Sequence, residues 1–323
     1  MPHVSVVIPV YNCEAFIAEA IQSALDQSHR DLEVIVVDDG SSDGTAKIVG
    51  GFSDPVFYHR QENRGAGAAR TLGVGRARGE WIAFLDADDV WYPEKLAVQL
   101  EEAQRRPDCE FFYCDMDTMD EAGRLVEKDF LQARAERRKK DKKPALDAVA
   151  FHNLPFPYPS TVLLKRSLFL RSGGFSKSFP ANYHEDFEFF ARLAQTESIH
   201  FIPRSLARYR LLPSAAKDHF RNANWPVLLS HLWQMWSGTP EKQAFLLPYY
   251  SQYFSHQGKI LLRAGKYREA REHFRVSFRF RPWSWKNLSR WGASYLPSAR
   301  CLRRLWKRSG AAGLLCFFLE NAP

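Results

Sequence analysis

Short apolar runs alternate, through the first half of the chain, with segments whose apolar positions recur at helical spacing. Val4-Ser5-Val6-Val7-Ile8, Leu32-Glu33-Val34-Ile35-Val36-Val37, Val56-Phe57-Tyr58, Trp81-Ile82-Ala83-Phe84-Leu85 and Phe111-Phe112-Tyr113-Cys114 have strand length and are rich in β-branched or aromatic residues. Between them the spacing predicts a helix from Cys13 to about Gln27, with Asn12 as its cap and Glu14 near its positive end. Further helices are expected from the Gly40-Ser41-Ser42-Asp43-Gly44 turn to about Val49, from Ala66 to Ala77, and from Glu94 to Arg105. Strands alternating with helices predict an α/β fold with a doubly wound, mainly parallel sheet. From about Leu125 to Pro159 the pattern weakens, through a basic run and then Pro155, Pro157 and Pro159, so a mobile insertion is expected there. Regularity returns at Ser160-Thr161-Val162-Leu163-Leu164, then at Gly173-Gly174-Phe175, and then in a helix that Glu185-Asp186 begins.

After Tyr209-Arg210 the character shifts to helix, Trp and Arg, which places a domain boundary near Pro213. Residues 1–213 then form the α/β domain, with halves of about 1–120 and 121–213, and 214–323 a helical C-terminal extension. Gly258, Gly265, Tyr267, Ala270, Phe274 and Pro282 fall at the offsets of one tetratricopeptide-like hairpin. One such repeat cannot bury its own apolar face, so it is expected to pack on the α/β domain or on a partner. From Pro297 to Leu319, Arg300, Arg303, Arg304, Lys307 and Arg308 precede an apolar stretch, a composition that suits an anionic membrane surface or an ordinary core-packed helix.

With 323 residues, of which 45% are hydrophobic and 25% charged, the chain can bury a full core, and disorder throughout is excluded. The net charge of +8 is concentrated in Arg134-Ala135-Glu136-Arg137-Arg138-Lys139-Lys140-Asp141-Lys142-Lys143 and in the segment from Lys259 to Arg308. Such runs are solvated faces or attract phosphates, acidic glycans and anionic lipid. Neither comes with a nucleic-acid-binding fold, so no nucleic-acid partner is expected. Cys13, Cys109, Cys114, Cys301 and Cys316 are odd in number and lack Cys-x-x-Cys spacing, against a disulfide framework or zinc site. With no basic leader before the first strand and no apolar stretch near the ~20 residues that span a bilayer, a cytoplasmic location is expected.

The chemistry is concentrated where strands end. Asp86-Ala87-Asp88-Asp89 follows the fourth apolar run, which would set carboxylates in the crevice where α/β sheets bind ligands. Ala87 leaves room for a hard divalent cation and a diphosphate, although Asp also favours a solvated turn. The first run leads into Pro9-Val10-Tyr11-Asn12 and the second into Asp38-Asp39-Gly40-Ser41-Ser42-Asp43-Gly44-Thr45. Asn63-Arg64-Gly65-Ala66-Gly67-Ala68-Ala69-Arg70-Thr71 follows, and His184-Glu185-Asp186-Phe187 comes later. Gly65 and Gly67 permit close backbone approach at a helix start, and Arg70, one turn on, can reach a phosphate.

In the order and spacing of these motifs the first 210 or so residues resemble a family 2 glycosyltransferase of the GT-A fold. The resemblance implies an inverting, non-processive transfer of a sugar from a nucleotide-diphosphate sugar, UDP or dTDP favoured, to an acceptor hydroxyl. It implies an acceptor that is a glycan or lipid-linked glycan of bacterial surface polysaccharide, met by a protein peripheral on the inner membrane face. Pro9, Tyr11 and Asp39 would line the nucleoside pocket, Tyr11 against the base and Asp39 accepting from N3–H of uracil or thymine. Gly67, Arg70, Asp86 and Glu185 would complete the donor site. Asp88, with Asp86, would hold Mn²⁺ or Mg²⁺, and Asp186 would be the base. Taken singly, Tyr11 also reads as a core tyrosine and Asp186 as a helix cap.

Two departures stand out. Thr71 occupies a position where Asn often follows the Ala-Arg pair, and the Gln-x-x-Arg-Trp of processive members is matched only by Asn287-Leu288-Ser289-Arg290-Trp291, far downstream. A haloacid dehalogenase-type phosphatase also follows an apolar strand with Asp-x-Asp, but leaves Asp38-Asp39 unexplained. A catalytically inactive transferase-like scaffold using the helical tail is opposed by intact Asp39, Asp88 and Asp186.

Overall fold

The computed structural model describes residues 3–140, 146–179, 184–212 and 225–280. The chain divides into two compact units, one to residue 215 and one from 216, while Pro213, the expected boundary, lies outside the described residues. The first unit is built on a nine-stranded sheet. Its strands are β1 (Val4–Val10), β2 (Leu32–Asp38), β3 (Val56–Arg60), β4 (Trp81–Phe84), β5 (Val90–Trp91), β6 (Phe111–Met119), β7 (Leu125–Glu127), β8 (Val162–Lys165) and β9 (Ile199–Arg210). They lie in the order β3-β2-β1-β4-β8-β6-β9-β5, with β7 paired to β6. The pairings β3–β2, β2–β1, β1–β4 and β6–β9 are parallel, while β8 is antiparallel to both its neighbours.

Every residue of β1, β2 and β4 is buried, as a sheet covered on both faces requires. The covering helices of this half are α1 (Ile17–Leu25), α2 (Thr45–Val49), α3 (Ala66–Arg76) and α4 (Lys95–Arg105). Gly73 brings α3 close to the sheet, because a Cβ there would strike the side chains of Val7 and Val37. The second half adds α5 (Phe130–Lys140), α6 (Leu146–Ala150), α7 (Arg166–Arg171) and α8 (Glu185–Thr196). This mixed sheet, parallel along β3-β2-β1-β4 and covered by helices, is the α/β architecture expected from the alternating pattern.

Three local expectations are corrected. Asn12 does not cap α1: it sits at φ 48° with its side chain turned to the loop after β2, and the helix begins only at Ile17. The segment expected to be a mobile insertion contains β7, α5 and α6, and the basic run begins within α5. β5 and the long β9 were not anticipated. β5 is two residues long, and β9 mixes Arg, His, Ser and Pro with its apolar positions, so neither carries a clear periodicity.

The second unit contains α9 (Trp225–Met235), α10 (Pro240–Arg263) and α11 (Tyr267–Phe280). α10 and α11 form a helical hairpin turned at Gly265 (φ 75°). Phe274 is fully buried, its ring lying where a Cβ on Gly258 would be, and Ser277 Oγ donates to the Ser251 carbonyl at 2.7 Å. Pro282, the Asn287–Trp291 motif and the basic and apolar segment from Pro297 to Leu319 lie outside the described residues.

Candidate active site

β1 pairs with both β2 and β4, so the loops that leave the carboxyl ends of these strands stand side by side. Two of them are laced together. The backbone N–H of Asn12 donates to Ser41 Oγ (2.9 Å), that of Cys13 to Thr45 Oγ1 (3.1 Å) and that of Glu14 to Asp43 Oδ2 (3.0 Å). In return, Asn12 Oδ1 accepts from Ser42 N–H (2.8 Å) and Glu14 Oε2 from Gly44 N–H (2.6 Å). At the head of this lacing Tyr11 is 46% exposed, which excludes a core tyrosine and leaves its ring open to a partner. Pro9 is buried in β1 opposite Val37.

Asp38 and Asp39 end β2 and are both buried. Asp38 accepts from Ser41 N–H (2.7 Å) and from the Tyr58 hydroxyl (2.6 Å), which shapes the turn. Asp39 receives Gln61 Nε2 (2.7 Å) and Arg64 N–H (2.8 Å) on Oδ1 and Gly65 N–H (2.8 Å) on Oδ2. Its carboxylate therefore fixes the entry to α3. An ionised carboxylate has about four acceptor positions, so one on Oδ2 is not taken by the described residues.

The central motif meets other partners than a phosphate. Arg70 is 4% exposed, and its guanidinium donates to Asp86 Oδ1 at 2.6 Å and to Glu185 Oε1 at 3.0 Å. It joins α3, the loop after β4 and the start of α8. Burial opposes its charge, but Asp86 and Glu185 raise its pKa further. Gly67 serves this junction, since a Cβ there would lie 3.0 Å from Glu185 Cγ and 3.3 Å from Phe175 Cβ. Gly65 needs its freedom for φ 89° at the helix start. Thr71 Oγ1 donates to the Gly67 carbonyl (2.8 Å), so the residue that departs from the family pattern turns its hydroxyl to its own helix.

Asp186 stands in the first turn of α8, beside this ion triad. Burial, and next the Glu185 charge, push its carboxyl up to about 7 against the pull of Arg70 and of the Phe187 N–H, which donates to Oδ1 at 2.7 Å. Asp88 is raised to about 6 by burial and then by Asp86. Asp89 is driven well above the usual carboxylate range by burial, Asp88 and Asp86. Cys13, raised to about 12 by burial and then by Asp88 and Asp43, is a neutral thiol and no nucleophile.

Asp88, with its charge buried beside that of Asp86, is the carboxylate of this loop that fits a divalent cation. Among the described residues Asp88 makes no side-chain ion pair, and burial of its charge beside Asp86 is the strain that a cation relieves. No group of three or more His, Cys, Asp or Glu converges as metal ligands among the described residues. That agrees with Mg²⁺-type sites, in which one or two carboxylates share the ion with substrate phosphates.

Two residues that the sequence reading passed over hold this loop. Ser160 Oγ accepts from Asp86 N–H (3.0 Å) and donates to Asp89 Oδ2 (2.5 Å). Arg210, 3% exposed at the end of β9, donates its backbone N–H to Asp89 Oδ1 (3.0 Å) and Nε to the Asp88 carbonyl (2.8 Å). Its remaining nitrogens reach the Glu121 carbonyl (2.9 Å) and Glu19 Oε2 (2.5 Å), and its plane lies over the Phe16 ring. Arginine at a strand end gives no signal of this, because the partners are far apart in sequence.

Residues 5–172 match the family described as Glycosyl transferase family 2. An uncharacterized glycosyltransferase of Rickettsia prowazekii, RP339, is 30% identical over 245 residues, 75% of this chain and 72% of that protein. The succinoglycan biosynthesis protein ExoO of Rhizobium meliloti is 44% identical over 105 residues, 32% of this chain and 30% of its own. The crystal structure of S. aureus TarS residues 1–349 in complex with UDP-GlcNAc is similar in fold, with a TM-score of 0.55 at 18% identity, over 91% of this chain and 79% of that one.

Proposed function

The chain belongs to glycosyl transferase family 2 and is a glycosyltransferase, and from that premise we propose a single displacement with inversion in which Asp186 is the base. The observation that carries this reading is the place of Asp186 in the first turn of α8, half-buried next to Glu185 in the Arg70–Asp86–Glu185 cluster, where burial and the Glu185 charge push its carboxyl up to about 7. A base works best when its pKa lies near the working pH, and ordinary carboxylates are far below it. Asp186 takes the proton of the acceptor hydroxyl as that oxygen attacks the anomeric carbon, and the nucleoside diphosphate leaves from the opposite face. Tyr11 stacks on the base, and the open position of Asp39 Oδ2 accepts N3–H, which selects uracil or thymine.

Family 2 enzymes generally use a divalent metal, and here Asp88 with Asp86 would hold Mn²⁺ or Mg²⁺. Bound there, the ion neutralises the charge on the leaving diphosphate. Arg70 has a different task from the one its motif suggests: it bridges Asp86 and Glu185 and holds them in register. The UDP-GlcNAc complex of TarS supports a nucleotide-sugar donor, and the likeness to ExoO, a succinoglycan biosynthesis protein, supports a polysaccharide product. Among the described residues no helix is long and apolar enough to cross a membrane. We place the protein at the inner face of the membrane as a peripheral, non-processive enzyme.

The test is Asp186→Asn, which keeps the shape but cannot accept the acceptor proton. Transfer should fall by about 10²- to 10⁴-fold, the range for losing a general base, while nucleotide-sugar affinity by calorimetry stays near that of the parent. Near-parental transfer, or equal losses of binding and rate, would move the base to another carboxylate, with Glu185 first.

A further inference from the structure

Half-buried aromatic side chains line the ground between the base and the basic helix α5. Phe187, next to Asp186, stacks with Phe156 at 5.3 Å between centroids and 22°. Phe156 meets Tyr158 edge-on at 5.0 Å, and Tyr158 meets Tyr209 at 5.4 Å. Tyr209 precedes Arg210, which holds Asp88 and Asp89, and the nearness of Asp89, Asp88 and Asp86 adds to burial in suppressing ionisation of its hydroxyl. At the other end Phe130 packs on Tyr158 at 6.4 Å and Arg134 Nη1 donates to the Tyr158 hydroxyl at 3.1 Å. A continuous run of half-buried rings therefore leads from Phe187, beside Asp186 in sequence, to α5.

The helix is fixed in that position. Asp115 of β6 accepts from Leu131 N–H (2.8 Å) and Gln132 N–H (3.1 Å), and Asp117 from Asp129 N–H (3.0 Å). α5 carries the exposed Arg134 and Arg137 and the half-buried Arg138, ends in Lys139-Lys140, and is followed in the sequence by Lys142-Lys143. Arg137 is paired with Glu127 at 2.6 Å, but both are exposed enough that such a pair is weak and yields to a stronger anion.

We propose that this surface is the acceptor subsite and that the acceptor is an anionic glycan. The proposal rests on Asp186 being the base. The C–H face of a sugar ring carries weak positive charge and packs against the negative face of an aromatic ring, and such rings are Phe187, next in sequence to the base, and Phe156 and Tyr158 beyond it. Sugar units further from the reaction run toward α5, where carboxylate or phosphate substituents meet arginine. The clustered cations also concentrate a polyanion at the mouth of the site and speed its capture, an effect that salt weakens. A neutral glycan would use the rings alone.

The experiment titrates the full chain with oligogalacturonate, with a hyaluronan oligosaccharide and with a neutral cello-oligosaccharide of equal length, at low and high salt. The expected result is at least tenfold tighter binding of one or both anionic probes, and loss of that preference in R134Q/R137Q/R138Q. Phe156→Leu should weaken the preferred probe several-fold without changing its salt dependence. Because that variant removes a packed ring, saturation-transfer NMR on the parent is the parallel measurement, and it should carry magnetisation from aromatic protons to sugar ring protons. Equal binding of anionic and neutral probes, or full retention of the preference in the triple arginine variant, overturns the proposal. So does absence of aromatic-to-sugar transfer. Binding to phosphatidylglycerol vesicles that the triple variant loses, with no oligosaccharide preference, also overturns it and gives the surface to lipid. Binding of UDP-GlcNAc and Mn²⁺ to the parent is measured separately, so a failure of the donor reading is distinguished from a failure of the acceptor subsite.

Discussion

Asp186 and Arg70 show how one ion cluster sets both chemistry and stability. Asp186 acts as a base only when ionised, and its carboxyl is raised to about 7 by burial and by Glu185. The rate of transfer should therefore climb with pH from about 6 to about 8 and level off above, since the protonated form dominates on the acid side. Glu185→Gln removes the neighbouring charge, so the midpoint should move to lower pH. A profile of kcat/KM in parent and variant checks this, and an unmoved midpoint would mean that another group titrates. Arg70→Ala should cost about 3–5 kcal/mol, because it leaves Asp86 and Glu185 without the cation between them. Denaturant unfolding measures that loss. The carboxylates at this scale were legible, because Asp86, Asp88, Glu185 and Asp186 sit in motifs with fixed spacing. The partner of Arg70 was not: a cation near a glycine-rich helix start suggests a phosphate, and only the packing of α8 on α3 puts a carboxylate there.

At the scale of elements the parallel half was readable and the segment around α5 was not. β1, β2 and β4 are buried on both faces and so appear in the sequence as unbroken apolar runs. α5 carries almost no apolar stripe, with Leu131 buried and most other described positions exposed or half-buried, so periodicity predicts a loop. What makes it a helix end in a defined place is tertiary: Asp115 and Asp117 on β6 take its first N–H groups. These carboxylates act from a strand, where a sequence reading does not look for a cap. Asp115→Ala should free that end. Amide exchange over residues 130–138 should then accelerate by at least tenfold, while protection within β6 persists because its ladder bonds to β8 and β9 are intact. Uniform acceleration across both would show that Asp115 supports the whole sheet rather than the helix.

At the scale of the α/β unit, Arg210 ties together segments that the chain brings from opposite ends. Glu19 lies 191 positions away, and Asp88 and Glu121 lie 122 and 89 away. The half-exposed Glu19 pair adds little by itself. The backbone carbonyls matter more, since a buried acceptor left unpaired costs about 1–3 kcal/mol. Arg210 thereby holds the backbone that carries Asp88, although it touches neither donor nor metal in the proposed mechanism. Arg210→Lys keeps a charge but has a single nitrogen in place of the planar fork, and cannot serve Asp88, Glu121 and Glu19 together. It should lower stability by about 1–3 kcal/mol and also weaken Mn²⁺-dependent UDP binding, because the loop that carries Asp88 is no longer held. Metal-independent UDP binding should change less, since Tyr11 and Asp39 belong to other loops. The comparison is calorimetry of UDP with Mn²⁺ and in EDTA, on parent and variant, at a temperature where both are folded. If both affinities fall together, Arg210 supports the fold as a whole, and if only the Mn²⁺-dependent one falls, it positions the carboxylate that would hold the metal.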